Sequence, residues 1–352
     1  MNILILAGGA GTRLWPASRR HKPKQLMPFI GDKSLLQNTY NRFSGFVSPK
    51  QIYIGTLKDY AMAVQKQLPE VPKKNYSLEP VLKERAPAIG LAALIMHHDN
   101  PKSCFATAWS DHYIKEEDKY LAMLRKAEKY LAKHPDQTIT VGVAPTFAHT
   151  GMGYIEKGGV ISGASGLKLH KVAAFKEKPD KATATKYTKA KKYLWNSGYF
   201  IWNTAHLLEL YKEHLPEIYD LLMKIKPALG TKKQQAVIDK IYPLMPKQDI
   251  EKGLIEKLDK RVVITADFSW ADVGSWKVVK DMLAKDNNLI KGHWVGVDTD
   301  DTLIYNYTDK LVATAGIKNT IVIVTPEVVL IANKDDAEDI KKLTAILEAN
   351  PE

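Results

Sequence analysis

The residues with the clearest chemical content lie near the start of the chain. Leu6-Ala7-Gly8-Gly9-Ala10-Gly11-Thr12-Arg13-Leu14-Trp15-Pro16, followed by Pro23-Lys24-Gln25, joins an apolar run to a glycine loop and two cationic side chains. Glycines after a strand let backbone N–H groups approach a phosphate chain closely, and cations compensate its charge. The expected ligand is a nucleoside triphosphate. The pattern is not a Walker P-loop, which needs Lys where Arg13 follows Gly11-Thr12, and the spacing of a Gly-x-Gly-x-x-Gly dinucleotide fingerprint fails. Asp111, in Trp109-Ser110-Asp111-His112, follows the apolar run Cys104-Phe105-Ala106. That places it at the carboxyl end of a predicted strand, where open α/β sheets bind ligands.

The elements that must hold these residues read as alternating strands and helices. Short apolar runs at 2–6, 51–55, 103–108 and 138–143 are separated by helical patterns at 88–97 and 117–133. In the latter, Tyr120, Leu121, Leu124, Ala127 and Leu131 form one face. We expect an α/β fold, a Rossmann-like, mostly parallel sheet flanked by helices. After Gly151 the spacing predicts hairpin-like pieces, with turns at Gly158-Gly159 and 163–166, forming an insertion or lid. Helices are expected again at 180–192 and 204–226, and a loop at 242–247. Strand-like runs at 294–297, 302–305, 311–315, 320–324 and 328–332 predict a small all-β module, closed by a helix at 335–348. The boundary is expected near Asp286, giving domains 1–286 and 287–352.

Composition narrows the class. With 352 residues, 45% hydrophobic and 26% charged, the chain is globular rather than disordered or collagen-like. No apolar run reaches the roughly 18 residues of a membrane span. The first residues also lack a basic leader and cleavage site, so we expect neither secretion nor membrane insertion. The single Cys104 has no disulfide partner, consistent with a cytoplasmic protein. Residues 287–352 carry 6 Lys against 11 acids, a net −5, which leaves +17 on residues 1–286. A basic field of this size favours anionic partners, nucleic acid or phosphorylated small molecules.

The glycine loop with Pro23-Lys24-Gln25 resembles the signature of sugar nucleotidyltransferases, in the mannose-1-phosphate guanylyltransferase branch. Further stretches agree in order: Glu79-Pro80, Ala86-Pro87-Ala88-Ile89, Ser110-Asp111-His112, Gly153-Tyr154-Ile155-Glu156, Phe175-Lys176-Glu177-Lys178-Pro179, Trp195-Asn196-Ser197-Gly198 and Asp272-Val273-Gly274-Ser275-Trp276. The resemblance spans the whole first domain. It implies a glycosyltransferase-A-like nucleotidyltransferase domain with a small C-terminal left-handed β-helix-like module, often part of a dimer contact.

The implied reaction joins GTP and mannose-1-phosphate, giving GDP-mannose and pyrophosphate, with the sugar phosphate attacking the α-phosphorus directly. Positioning and charge neutralisation carry such chemistry. By resemblance, Ala7, Gly8, Gly9, Gly11, Thr12 and Arg13 hold the triphosphate, with Pro80, Ala86 and Ser110 as further nucleotide contacts. Lys24 stabilises charge at the α-phosphate, and Asp111 and Asp272 are the metal carboxylates. Two aspartates with phosphate oxygens suffice for Mg2+. Glu79 would read the base: a carboxylate accepts the adjacent N1–H and N2–H donors of guanine, whereas N1 of adenine is itself an acceptor. Lys178 is the implied cation for the sugar phosphate. Glu177 is an acceptor for sugar hydroxyls, and Asn196 and the Gly153 backbone complete the sugar contacts. His112 is read as a packing residue rather than a ligand.

Lys83-Glu84-Arg85 departs from the family's usual Arg-Asn-Thr, which bears on the nucleotide contacts near Ala86. Lys176 and Tyr199 also depart but remove no required charge. The chain ends soon after the β-rich tail, so the isomerase domain of some relatives is expected to be lacking. Three alternatives stay open: another sugar-1-phosphate (fucose, heptose or glucose type), an inactive nucleotide-sugar-binding regulator, and nucleic-acid binding. The last has charge in its favour but no recognised module, so no nucleic-acid partner is expected. No membrane partner is expected, and a homodimer is.

Overall fold

A computed structural model describes residues 1–9, 12–19, 21–161, 166–284 and 286–349. Gly11 lies outside the described residues, as does the side chain of Thr12. The chain runs β1 (Asn2–Leu6), α1 (Leu35–Ser44), β2 (Ile52–Leu57), α2 (Ala61–Gln67), β3 (Tyr76–Glu79), α3 (Arg85–Asp99), β4 (Cys104–Trp109), β5 (His112–Ile114) and α4 (Glu117–Lys133). Next come β6 (Thr138–Val143), β7 (Tyr154–Val160), β8 (Leu169–Lys176), α5 (Lys181–Lys189), β9 (Tyr193–Asn203), α6 (Thr204–His214), α7 (Pro216–Ile225), α8 (Gln234–Ile241), α9 (Ile250–Gly253) and β10 (Arg261–Thr265). It ends with β11 (Trp270–Asp272), α10 (Trp276–Leu283), β12 (Leu289–Lys291), β13 (Trp294–Val297), β14 (Leu303–Asn306), β15 (Val312–Ala315), β16 (Thr320–Val324), β17 (Val329–Asn333) and α11 (Ile340–Ala349). Two compact units result, and both are discontinuous in sequence.

The first unit holds Met1–Gly8, Tyr40–Trp109 and Ile114–Ser269. Its nine-stranded sheet has the order β3-β2-β1-β4-β9-β6-β10-β8-β7. The expected α/β sheet is present with most strands running the same way, and two opposed strands, β9 and β8, make it mixed. β3, β2, β1 and β4 are parallel, whereas β9 enters antiparallel between β4 and β6. β9 gives no alternating signal because it is apolar on both faces and buried along nearly its whole length, as a central strand must be. The hairpin expected as an insertion or lid is instead the antiparallel sheet edge, β10-β8-β7. Gly158-Gly159 lies inside β7, where the register slips, rather than in a turn.

Helix α3 is buried all round from Ala86 to Met96, which explains its lack of an amphipathic pattern. Gly90 permits this packing: a Cβ there would crowd the Tyr211 ring of α6 and Leu222 of α7. The segment expected as one helix at 204–226 is split into α6 and α7 at Leu215-Pro216, since proline cannot continue an interior helix.

The second unit holds Gly9–Thr39, Ser110–Tyr113 and Trp270–Glu352. β12, β14 and β16 stack in parallel, as do β13 and β15, so successive turns of chain coil into a β-helix; β17 closes it antiparallel. Leu303, Tyr305, Ile321 and Ile323 of this coil share one core with Leu14, Phe29 and Trp276. The Trp276 indole donates to Trp15 O at 3.0 Å, and the Tyr305 hydroxyl to Phe29 O at 2.8 Å. The module thus braces the segment that carries Arg13 and Lys24. Among the described residues no helix is long and apolar enough to cross a membrane.

Candidate active site

In the second unit, Lys24 sits between two carboxylates. Its Nζ is 2.5 Å from Asp111 Oδ2 and 3.8 Å from Asp272 Oδ1, and it donates to Val273 O at 3.3 Å. Burial opposes the ammonium charge, but Asp111 and Asp272 outweigh it and hold Lys24 above its ordinary value. Burial likewise pushes the Asp111 carboxyl up, and the Lys24 charge overrides it, holding the group below its usual range. Val273 N donates to Asp111 O at 3.0 Å, which ties the two carboxylate segments together.

The ligating atoms of Asp111, His112 and Asp272 lie within 4.8 Å of one another. Asp272 Oδ1 is buried and accepts no hydrogen bond from the described residues. Oxygen donors of this kind fit a hard divalent cation. His112 is less suited: its Nδ1 accepts the Trp270 indole N–H at 3.1 Å, so in the neutral ring Nε2 carries the proton and offers no lone pair.

The glycine loop leaves β1 at Leu6. Gly8 is exposed, and Gly9 takes φ +97°, a left-handed conformation that disfavours other residues. Ala7 uses both main-chain groups inside the protein, its N–H to Gly55 O and its C=O to the Thr56 hydroxyl. Arg13 pairs at 3.2 Å with Glu338, and both side chains are exposed. Ser110 is buried, its carbonyl accepting from the Thr39 hydroxyl at 3.4 Å.

In the first unit, Glu79 ends β3 and is only 4% exposed. Its Oε2 accepts the Tyr242 hydroxyl at 2.5 Å, which leaves Oε1 for a ligand. Burial pushes this carboxyl up to about 7, and the Tyr242 bond opposes the rise. Pro80 is half-buried beside it. Ala86 is fully buried; its N–H donates to Gln248 O at 3.0 Å and its C=O accepts from the Tyr211 hydroxyl at 2.7 Å. Ala86 can therefore offer a nucleotide only apolar contact.

The residues expected at the sugar do come together. Asn196 N donates to Gly153 O at 2.8 Å, and a Cβ at Gly153 would collide with Glu177 Oε2. Lys178 takes φ +46°, and its exposed Nζ lies 3.3 Å from Glu177 Oε1. Gly198 at φ +75° admits the Trp109 indole, which donates to Gly198 O at 2.9 Å. Four residues escaped the sequence reading: Tyr242, Arg85, Asp249 and Glu251. Arg85 was visible only as a departure from a motif, and the acids sit in an unremarkable charged stretch more than 160 residues away in sequence.

A glycine loop after an inner strand, a lysine between two aspartates and an appended β-helix define a nucleotidyl transferase. Residues 2–288 match the Nucleotidyl transferase family, and residues 292–347 match the MannoseP isomerase/GMP-like beta-helix domain. Mannose-1-phosphate guanylyltransferase RfbM of Salmonella typhimurium is 36% identical over 354 residues, covering 99% of this chain and 72% of the relative. Mannose-1-phosphate guanylyltransferase of Escherichia coli is 32% identical, covering 99% and 73%. A crystal structure described as mannose-1-phosphate geranyltransferase from Thermus thermophilus has a TM-score of 0.87 at 28% identity, covering 99% of both chains. The chain belongs to the mannose-1-phosphate guanylyltransferase family of nucleotidyl transferases.

Proposed function

We propose that this chain condenses GTP with mannose-1-phosphate to give GDP-mannose and pyrophosphate. The observation that carries the reading is Lys24 held between Asp111 and Asp272 in a chain of this family. A sugar-phosphate oxygen forms a bond to the α-phosphorus, and the bond from that phosphorus to the β-phosphate oxygen breaks, its electrons leaving with pyrophosphate. Both reactants are anions, so charge compensation and orientation supply the acceleration.

Lys24 gives a compact positive charge for the developing charge at the α-phosphate, and the substrate competes with Asp111 for it. Arg13 faces the outer phosphates; it pairs with the exposed Glu338, a pairing worth little in water. Asp111 and Asp272 would hold Mg2+, which when bound screens the triphosphate and eases the departure of pyrophosphate. Glu79 reads guanine with its free oxygen while Tyr242 fixes its position. Lys178 faces the sugar phosphate, and Glu177, Asn196 and the Gly153 backbone face the ring. We assign residues 1–286 as the catalytic domain and 287–352 as the β-helix module, in a cytoplasmic homodimer. The family resemblance and the single cysteine support these assignments.

The test is pyrophosphate release with Mg2+, crossing GTP, ATP, UTP and dTTP with mannose-, glucose- and fucose-1-phosphate. Release with GTP and mannose-1-phosphate alone is expected. Release with another pair replaces the substrates and keeps the mechanism; silence with nucleotide-sugar binding intact makes the chain a regulator.

A further inference from the structure

A second charged cluster lies within the first unit. Asp249 caps α9, accepting from the backbone N–H of Glu251 at 2.9 Å and of Lys252 at 3.3 Å. Arg85, the first residue of α3, binds both acids: Nη2 to Asp249 Oδ2 at 2.5 Å and Nη1 to Glu251 Oε1 at 2.7 Å. Asn196 Nδ2 donates to the same Glu251 Oε1 at 3.3 Å. That oxygen is fully used, and it connects Glu251 to a residue of the sugar set.

The other oxygen is not used. Glu251 is 1% exposed, and its Oε2 is buried with no hydrogen bond from the described residues. Glu177 Oε2 is in the same condition, on a side chain 5% exposed. Buried carboxylate oxygens without donors are costly and rare in native folds. Here two share one neighbourhood: Glu177 is among the charges that raise Glu251. Burial is the larger cause and Arg85 opposes it, while the Asp249 charge and a carboxyl–carboxyl hydrogen bond to Asp249 add to the rise, leaving Glu251 at about 8. If Glu251 served only to neutralise Arg85, Asp249 would already suffice, and nothing would require a second oxygen sealed from water.

A carboxyl group keeps an acceptor oxygen whether ionised or, as the raised Glu251 is near neutral pH, protonated, and a sugar ring donates from adjacent hydroxyls, so the orphaned oxygens match the part of the substrate that a phosphate-binding cation does not. We propose that Glu251, oriented by Arg85 and Asn196, accepts a ring hydroxyl of the sugar-1-phosphate alongside Glu177 and so helps set sugar specificity. The proposal rests on the reading of the substrates given above. Arg85 is a positioning residue in this scheme: its planar guanidinium gives one N–H to each acid and so spaces the two carboxyl groups in a way that a lysine cannot.

The experiment measures pyrophosphate release by the full chain with Mg2+, GTP and mannose-1-phosphate or its 2-, 3-, 4- and 6-deoxy analogues. Wild type is compared with Glu251→Gln, which keeps an acceptor for Arg85, and Glu251→Asp, which keeps the charge but withdraws it. The KM for mannose-1-phosphate is expected to rise at least about tenfold in Glu251→Gln, with the KM for GTP within roughly twofold, the size of effect one lost hydrogen bond gives. One deoxy analogue should lose no further activity in the variant, because both changes remove the same bond. Additive losses for every analogue, or a loss spread equally over GTP, in both the Gln and the Asp variant overturn the proposal and leave Glu251 as a brace for Arg85. Wild-type enzyme that rejects mannose-1-phosphate overturns the substrate reading, and the proposal with it. Normal wild-type turnover with additive losses overturns the proposal alone.

Discussion

Two clusters in this protein share a formula, one cation to two carboxylates, and differ in what the cation does. Lys24 makes one short contact, to Asp111, and one long one, to Asp272. Arg85 makes two short contacts of nearly equal length, to Asp249 and Glu251. An ammonium is a compact charge on a flexible stem and can change partners; a guanidinium is a planar fork that holds two acceptors in fixed geometry. The first arrangement suits a charge that must be handed to a substrate, and the second a scaffold that must not move. Counting charges would call the clusters equivalent, whereas the donor geometry separates the proposed catalytic site from the proposed positioning one.

That contrast can be broken by removing each cation. Lys24→Ala is expected to lower turnover by at least roughly a hundredfold, with Asp111→Ala similar, in protein that still folds. Near-normal turnover in the folded variant would remove Lys24 from the mechanism. Arg85→Ala should do the reverse and show first in stability, by about 3 kcal/mol in urea unfolding, because it leaves two largely buried carboxylates unpaired. Arg85→Lys should restore less than half of this. A turnover loss at Arg85→Ala as large as that at Lys24→Ala, in folded protein, would end the distinction.

A third measurement sharpens the comparison with a carboxylate that has no cation. Among the described residues Glu79 is held by burial and the Tyr242 hydroxyl, with its carboxyl raised to about 7 from an ordinary 4.5. A raised carboxyl favours the folded state while protonated, so its contribution is complete below about pH 4.5 and is lost as pH rises through about 7. Wild type should lose on the order of 2 to 3 kcal/mol relative to Glu79→Gln between pH 4.5 and pH 8. Parallel pH profiles for the two proteins would show that Glu79 is ionised throughout. The proposed reading of guanine by Glu79 needs the ionised form, so under that proposal the same variant should weaken GTP selectivity over ATP. The smallest effect is expected at the exposed Arg13–Glu338 pair, where Glu338→Gln should change stability by less than about 0.5 kcal/mol.

Much of this was legible in the sequence, and the exceptions have physical causes. The amphipathic α4 was readable to its ends, because one face of a surface helix must be apolar. β9 was harder, since a strand enclosed on both faces carries no period, and the buried α3 was legible at 88–97 but not to its ends. Lys24, Asp111 and Asp272 could be named because each stands in a short motif, although no spacing rule places residues 24, 111 and 272 together. Tyr242 and Glu251 stand in no motif. Their importance arises from partners 163 residues away for Tyr242 and 166 for Glu251.

The sequence by itself determined the chemical inventory: a glycine loop that a backbone can bend around phosphates, the cations and the carboxylates, and the family they imply. Only the tertiary structure decided which oxygen of each carboxylate is already engaged and which is not. Composition sets how many donors and acceptors a chain possesses. Their pairing is settled by packing, since a hydrogen bond depends on distances of a few tenths of an ångström between residues that the chain order leaves far apart.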